Sequence, residues 1–489
     1  MKKNIRMLAA LLALLTAAGT VSCGGSGSAS DTTASGADTT APETEAGYPY
    51  PDKDFGGYTF KVLNYETFVD CYMHIAMEDM TGEAVDDAVW ARNRKVEDKL
   101  NFKLEEIAMP YPGWGSLNQT IEMVRTSVMA DDDAYDAAYL LLPFGSGIIT
   151  EGYVVDLNTI PEMNLAEKWW DTSLNNSMEI GGKLYAATSA MQLGSLDLSW
   201  VLLFNKELLT DHKLDLPYDT VRAGKWTVDE MNKYVIALTN LNGDESFAFK
   251  AGGNALYGIG GHTTAPYAML VASDIMLLDR DDKGSLVFSG ASERLFNVVE
   301  KLSALLKDGE GKIYYKNGGT DGDSYVDLFR SERAAFVSCE LKSTTVLRDM
   351  EADYGILPFP KYDEAQETYV TYASENIPRL VIPNTADDVS RTGLILDALS
   401  YESYKTVLPL YYGQTISQKG LRDEDSIEML EIINETRRSE PGMIFGITTN
   451  LVNSLTSTIQ SAAGDAASVM ASNKEAVEGY IEELVEAFK

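Results

Sequence analysis

Between residues 58 and 142 the chain switches repeatedly between two side-chain periods, and this constrains its fold more than any other feature. Tyr58-Thr-Phe-Lys-Val-Leu63 follows Gly56-Gly57 and alternates apolar with polar, as a half-buried strand does. Residues 83–100 then put Val85, Val89, Val96 and Leu100 on one stripe with charges opposite, which predicts an amphipathic helix. Residues 101–107 read as a second strand. Leu117, Ile121, Val124 and Val128 mark a second helix, and 135–142 a third, more buried strand. Strands alternating with helices imply βαβ units and a largely parallel sheet, so the fold class is α/β. Ligands of such sheets sit beyond the carboxyl ends of the strands, which places the loops beginning at Asn64 and Pro143 near a site.

The α/β habit returns after Asn205. Trp226-Thr-Val-Asp-Glu-Met231 opens a helix, with Thr227 and Glu230 as a capping box and Trp226 stapled onto Met231, so Trp226 is a packing residue. Tyr257-Gly-Ile-Gly-Gly261 reads as a strand running into a Gly-rich loop, and 334–337 and 354–358 as short strands. Residues 387–401 and 425–437 are predicted helices, and the chain closes with helices over 451–470 and 474–488. A chain of 489 residues, 45 % hydrophobic, is long enough for two or three such units.

The first residues are of another kind. Lys2, Lys3 and Arg6 precede an apolar run, 7–18, too short to span a bilayer, and small residues lead to Thr20-Val21-Ser22-Cys23. This is the layout of a secretory signal peptide. A Cys directly after the expected cleavage point resembles the lipobox of bacterial lipoproteins, in which that thiol is diacylated and becomes the new N-terminus. Thr20 departs slightly, standing where Leu is usual. The expectation is a signal peptide over 1–22, a lipidated Cys23, and a flexible tether over 23–54, since residues 24–47 contain no large apolar side chain. The alternative is an ordinary secreted protein with a chance Cys there. No later stretch has the ~18 uninterrupted apolar residues of a transmembrane helix.

Charge excludes several partners. Forty Lys and Arg against 74 Asp and Glu give a net charge of −34. A phosphate backbone needs a basic surface, so nucleic acid is excluded, and adhesion to anionic lipid is disfavoured on the same ground. Membrane attachment therefore rests on the N-terminal lipid alone. After processing, Cys71 and Cys339 remain. Oxidising surroundings would allow them to pair, but two cysteines this far apart are no disulfide framework, and they are read as free, half-buried thiols.

Catalytic signatures are missing. His74, His212 and His262 share no metal-ligand spacing, and there is no G-x-S-x-G, C-x-x-C, H-E-x-x-H or phosphate-binding G-x-x-x-x-G-K-[ST] sequence. Asp279-Arg-Asp281-Asp-Lys283-Gly284 begins like a calcium loop, yet Gly290 stands where a bidentate Glu is required, so it reads as a polar turn. Asp131-Asp-Asp133 reads as a solvated helix end. No metal and no cofactor is expected. A glycoside hydrolase with paired carboxylates and a surface adhesin stay open as alternatives.

Several segments, taken in order, resemble the extracellular solute-binding proteins of ABC importers, in particular the carbohydrate-binding group that includes the maltose-binding proteins. They are Tyr135-Asp136 followed by Gly152-Tyr-Val-Val-Asp156-Leu157, and Gly182-Lys-Leu-Tyr185-Ala, a strand of the first lobe. Val201-Leu-Leu-Phe204-Asn205-Lys206-Glu-Leu-Leu209 follows, where the chain crosses to the second lobe. Ala334-Ala-Phe336 and Tyr354-Gly-Ile-Leu-Pro358-Phe-Pro360 complete the set, the last returning the chain to the first lobe. The resemblance implies a type II, periplasmic-binding-protein-like fold: two α/β lobes joined by a hinge, with the ligand cleft between them. Lobe one would hold 55–200 with 355–405, and lobe two 201–354 with the C-terminal helices, 406–489. It further implies a monomer, lipid-anchored on the extracellular (or periplasmic) side, that delivers a solute, a sugar or oligosaccharide, to ABC permease subunits.

Sugar rings pair an apolar face with a rim of hydroxyls, which suits a chain with 26 Tyr, 15 Phe and 6 Trp. By analogy with the family the ligand groups come from cleft loops. These are Tyr65 and Glu66 after the first strand, Phe144 after the third, Asp197 and Trp200 entering the crossover, and His262 and Tyr267 after the Gly-rich strand. Glu340 and Lys342 follow 334–337, and Phe445 to Asn450 precede the C-terminal helices. Of Trp169-Trp170, one is expected to rim the cleft and the other to plug the core. On this reading Trp200→Ala and Tyr267→Ala weaken binding at a nearly unchanged melting temperature.

Overall fold

The computed structural model describes residues 50–489 apart from 112, 250–251, 290, 318–321, 417–420 and 422. The expected signal peptide, Cys23 and the tether up to residue 49 lie outside the described residues, as does Gly290. The strands in chain order are β1 (Tyr58–Tyr65), β2 (Phe102–Met109), β3 (Ala137–Leu140), β4 (Trp200–Asn205), β5 (Tyr257–Gly261), β6 (Leu278–Arg280) and β7 (Leu286–Phe288). They continue with β8 (Ile313–Tyr315), β9 (Ala334–Glu340), β10 (Tyr354–Leu357), β11 (Thr371–Tyr372), β12 (Arg379–Val381) and β13 (Arg437–Arg438).

The first sheet has the order β12-β3-β1-β2. β1 runs parallel to β2 from Tyr58 opposite Phe102 to Tyr65 opposite Met109, and parallel to β3 on its other side. The crossover helix Ala84–Leu100 buries the predicted stripe of Val85, Val89, Val96 and Leu100, and Asn101 ends it in the left-handed conformation at φ 50°. Asn does so at little steric cost, which lets the chain turn straight into β2. Asp131 closes the helix Gln119–Ala130 in the same way at φ 52°, so the acidic triplet is a helix end as read.

The second sheet, β10-β4-β9-β5-β8, is mixed. β5 is parallel to β8 and β9, whereas β4 runs antiparallel to both β9 and β10. All six residues of β4 are buried, as befits a strand covered on both faces. The predicted Gly-rich loop is instead part of β5. A Cβ at Gly258 would lie 2.4 Å from a Val235 methyl, and one at Gly260 would lie 2.7 Å from the Tyr325 carbonyl, so close backbone packing requires glycine at both.

Other expectations need correction. Residues 182–186 form no strand and make only isolated bridges, Ile180 to Lys183 and Ala187 to Leu380, because no neighbouring strand offers them a continuous ladder. Tyr354–Leu357 still belongs to the second sheet, and the chain re-enters the first only at β12. The C-terminal helices break at 462–465 rather than near 471. Ala462 and Gly464 have φ of 48° and 107°, and the Asp465 side chain accepts from Ala467 N–H to start Ala466–Ala487. The helical spacing of apolar residues runs on through the break, so periodicity alone hides it.

Trp226 is fully buried and its indole N–H donates to the Pro358 carbonyl at 3.2 Å, in keeping with a packing role. Thr227 caps the helix Val228–Leu238 by accepting from Glu230 N–H. The Glu230 carboxylate turns to Lys233, so only half of the predicted box forms. Asp281 accepts from Lys283 and Ser285 N–H inside the β6–β7 hairpin, a polar turn. Cys71 and Cys339 are free thiols, buried rather than half-buried. Among the described residues no helix is long and apolar enough to cross a membrane.

Candidate ligand-binding cleft

Trp200 opens β4, directly across from Glu340 at the end of β9. Its indole stacks on Tyr372, at 6.3 Å between centroids and 26° between planes, and meets His262 edge-on at 5.7 Å. Tyr372 in turn meets Tyr267 edge-on at 5.1 Å, and His262 meets Tyr325 at 5.8 Å. Tyr267, Tyr372, Trp200, His262 and Tyr325 therefore form one continuous ladder of rings. They are drawn from the helix Ala265–Ala272, β11, β4, the end of β5 and the helix Tyr325–Arg330. Offset and edge-on contacts of this kind suit the ring quadrupoles.

Charged groups flank the ladder. Lys342 pairs with Glu340 at 2.9 Å. His262 Nδ1 accepts from Thr264 N–H at 3.1 Å. Burial, reinforced by the Lys342 ammonium, pushes the imidazole down to about 4, so the ring is neutral at ordinary pH. Glu375 accepts from the Tyr372 hydroxyl, from Ser374 Oγ at 3.4 Å and from Asn376 Nδ2 at 3.3 Å, and burial pushes its carboxyl up. Asp197, at the end of the short helix Gly194–Asp197, accepts from Tyr411 Oη at 2.5 Å and from Tyr72 N–H at 3.4 Å. Burial raises it to about 6, and Lys342 and Glu340 are both within electrostatic reach of it.

A second aromatic group adjoins. Phe68, Tyr111 and Trp114 meet edge-on at 5.5 to 6.5 Å, and Trp114 is 60 % exposed. Lys342 is close enough to bear on the Tyr111 phenol, although burial has the larger effect. Phe68 and Cys71 belong to a buried cluster with Leu117, Leu141, Leu198 and Ile377, against which Tyr111 packs. The chain around β1, the crossover at 196–200 and the segment after β11 thus meet beside Lys342.

Six predicted site residues are brought together here: Asp197, Trp200, His262, Tyr267, Glu340 and Lys342. Glu340 ends β9 rather than following it. Tyr65 is a core residue, fully buried, with its hydroxyl bonded to Thr120 Oγ1 at 2.6 Å. Glu66 is exposed beside it. Phe144 is 41 % exposed, and its loop meets that of Phe445 through Ser146 Oγ donating to the Phe445 carbonyl at 2.8 Å. Phe445 itself is buried against Phe488, and Asn450 is exposed on the first turn of Thr449–Ser461. Among the described residues none of these five, Tyr65 included, shares a hydrogen bond or ring contact with the ladder. Both Trp169 and the buried Trp170 donate their indole N–H to Asp397 at 2.7 Å.

Tyr111, Trp114, Tyr372, Glu375 and Tyr411 were not singled out from the sequence. Trp114 was within reach, because Tyr111-Pro-Gly-Trp114 follows the carboxyl end of a predicted strand, where the rule used at Asn64 and Pro143 applies equally. Tyr372 and Tyr411 gave no such signal. Two surface hollows of about 330 and 270 Å³, beside Gln119–Ala130 and around Asp274 to Leu277, include no residue of the ladder. No group of three or more His, Cys, Asp or Glu among the described residues is placed to hold a metal ion.

A two-sheet α/β chain with an aromatic-lined site beside the crossover between its sheets has the form of a ligand-binding protein. Residues 102–388 match the family model of the bacterial extracellular solute-binding proteins, and the chain belongs to that family. Its fold is similar to a cyclo/maltodextrin-binding protein complexed with maltotetraose, at 13 % identity and a TM-score of 0.56, covering 87 % of this chain and 97 % of that one. It is also similar to an ABC substrate-binding protein from Listeria monocytogenes in complex with cycloalternan, at 11 % identity and a TM-score of 0.52, covering 88 % and 100 %. A third similar structure is the maltose/maltodextrin-binding domain from Bdellovibrio bacteriovorus bound to maltotriose, at 12 % identity and a TM-score of 0.51, covering 87 % and 100 %. The fold is the two-lobed, type II one expected. No curated protein sequence matches the chain.

Proposed function

We propose that this protein is the substrate-binding component of an ABC importer and that it captures a sugar or oligosaccharide in the cleft beside the ladder. The observation that carries this is the run Tyr267–Tyr372–Trp200–His262–Tyr325 with Glu340, Lys342 and Glu375 along it. Aromatic faces take the C–H side of a sugar and the charged rim takes its hydroxyls. The similar structures with bound maltotetraose, cycloalternan and maltotriose support that ligand class.

The mechanism we propose is hinge closure. Ligand contacts both lobes only in the closed state and shifts the population towards it. Lobe one would be built on the first sheet, from 55–200 and the segment returning to β12, and lobe two on the second. Trp114 and Tyr111 would then face Lys342, Trp200 and His262 across the cleft. The protein acts as a monomer anchored through Cys23, passes its ligand to permease subunits, and breaks no covalent bond.

A thermal-shift screen of the full-length protein against sugars, oligosaccharides, peptides and amino acids tests this. A sugar at ~100 times its dissociation constant adds about 2.7 kcal/mol, several degrees in Tm. Stabilisation by a sugar that is recovered unchanged is the expected result. Cleavage of that sugar would replace the reading with a glycoside hydrolase, and silence from every sugar would overturn it.

A further inference from the structure

The chain turns sharply just beyond β1. Cys71 N–H donates to the Phe68 carbonyl at 2.9 Å, and the two residues between them, Val69 and Asp70, have φ of 43° and 64°. Two positive φ angles mark a type I′ turn, which ordinarily takes Asn-Gly. A β-branched residue there is an outlier and costs about 1–2 kcal/mol. Among the described residues no other two consecutive non-glycine residues are left-handed. The turn is pinned from one side: Val69 packs inward on the buried cluster of Phe68, Cys71 and Leu117, while Asp70 is exposed. Strain of this kind collects where a side chain has to be held in one direction. Phe68, which begins the turn, also meets Trp114 at 6.3 Å, and Trp114 is 60 % exposed. An open indole and an exposed carboxylate thus flank one buried ring. Lys342 is within electrostatic reach of Asp70, but its ammonium is on Glu340 at 2.9 Å. Asp70 itself has no hydrogen bond or ion pair among the described residues.

We propose that Asp70 is a specificity-determining residue of the cleft: its carboxylate accepts from two neighbouring hydroxyls of a sugar ring stacked on Trp114, and the strained Val69–Asp70 turn holds it in place. This rests on the carbohydrate reading above. An exposed carboxylate gives up little hydration when sugar hydroxyls replace its water, and the hydrogen bonds it accepts are charge-assisted. Because the turn fixes its direction before the ligand arrives, little ordering entropy is lost on binding.

The test is calorimetric titration of the full-length protein with maltotetraose, cellotetraose and xylotetraose, unaltered and as Asp70→Asn. Asparagine tolerates the left-handed turn and keeps the shape, but loses the charge. Affinity for whichever sugar binds is expected to fall about tenfold, with the melting temperature unchanged to within about 1 °C. Val69→Gly, which frees the turn and leaves the carboxylate, should cost about threefold. Full affinity in Asp70→Asn overturns the proposal and leaves the carbohydrate reading standing. So does a loss of affinity that comes with a melting temperature several degrees lower, since Asp70 would then serve the turn alone. Full affinity in Val69→Gly overturns the part given to the strained turn. No binding by any of the three sugars overturns both the proposal and the reading beneath it.

Discussion

The Trp200 indole lies 26° from the plane of Tyr372, with 6.3 Å between centroids, although β4 and β11 that carry them belong to different sheets. This stack joins the ring ladder in the middle. It is also buried, Trp200 being 3 % exposed and Tyr372 fully covered. Trp200→Ala and Tyr267→Ala therefore cannot leave stability untouched, contrary to what the sequence suggests. Trp200→Ala is expected to cost about 3–5 kcal/mol, read from a urea midpoint, because the cavity left behind adds to the lost transfer energy. An unchanged midpoint would mean that the stack is not packed in solution.

Trp114 offers the cleaner probe of binding. At 60 % exposure it packs only edge-on against Phe68 and Tyr111. Trp114→Ala should shift stability by no more than about 0.5 kcal/mol. Sugar affinity should fall roughly fivefold, about 1 kcal/mol of lost stacking. Calorimetry showing full affinity would remove Trp114 from the cleft.

Glu440 sets a pH dependence. It is fully buried and accepts from Leu278 N–H, Met443 N–H and Thr448 Oγ1, at 3.0 to 3.1 Å, yet burial outweighs these bonds and pushes its carboxyl up to about 7. The native state keeps a proton that the unfolded chain releases near 4.5. Its contribution to stability is therefore complete below about 4.5 and is lost as pH rises through 7. Asp197, raised to about 6, acts in the same direction. Melting temperatures should fall between pH 5 and 7.5, and Glu440→Gln should shrink that fall; an identical slope in the variant would exclude Glu440 as its source.

His262 acts with the opposite sign. Its imidazole titrates near 4, whereas in the unfolded chain it takes up a proton near 6.5. The stability it confers is complete above 6.5 and is lost as pH falls towards 4. An NMR titration should place the His262 ring midpoint well below 5. A midpoint near 6.5 would mean the ring is open to water and the ladder is broken there.

Asp397 is fully buried and collects both indole N–H groups of Trp169 and Trp170 along with the Asn164 side-chain amide, each at 2.7 Å. Asp397→Asn puts a donor where donors already converge, so a loss of about 2–4 kcal/mol is expected from chemical denaturation. A loss below about 1 kcal/mol would show that the network relaxes around the amide.

The sequence determined the elements whose signal is local. The stripe Val85–Val89–Val96–Leu100 gave the crossover helix, alternation gave β1 and β2, and together they gave a parallel three-strand core. The motif around Val201 coincides with β4, where the chain passes into the second sheet, and six residues suggested by the family resemblance lie in or beside one ring ladder. The break at Ala462–Gly464 was hidden because the apolar spacing runs through it. The antiparallel placing of β4 and β10 was hidden because a fully buried strand carries no mark of its direction.

What only the tertiary structure decided is which side chains share the cleft. Tyr372 and Tyr411 look like any core tyrosine in the sequence, and their partners Trp200 and Asp197 lie far away along the chain. Tyr65, named by family analogy as a cleft-loop residue, ends β1 and turns inward to Thr120 instead. Local patterning records which face of an element is apolar. The meeting of rings and carboxylates from separate elements depends on how the sheets pack, and no short stretch of sequence encodes that packing.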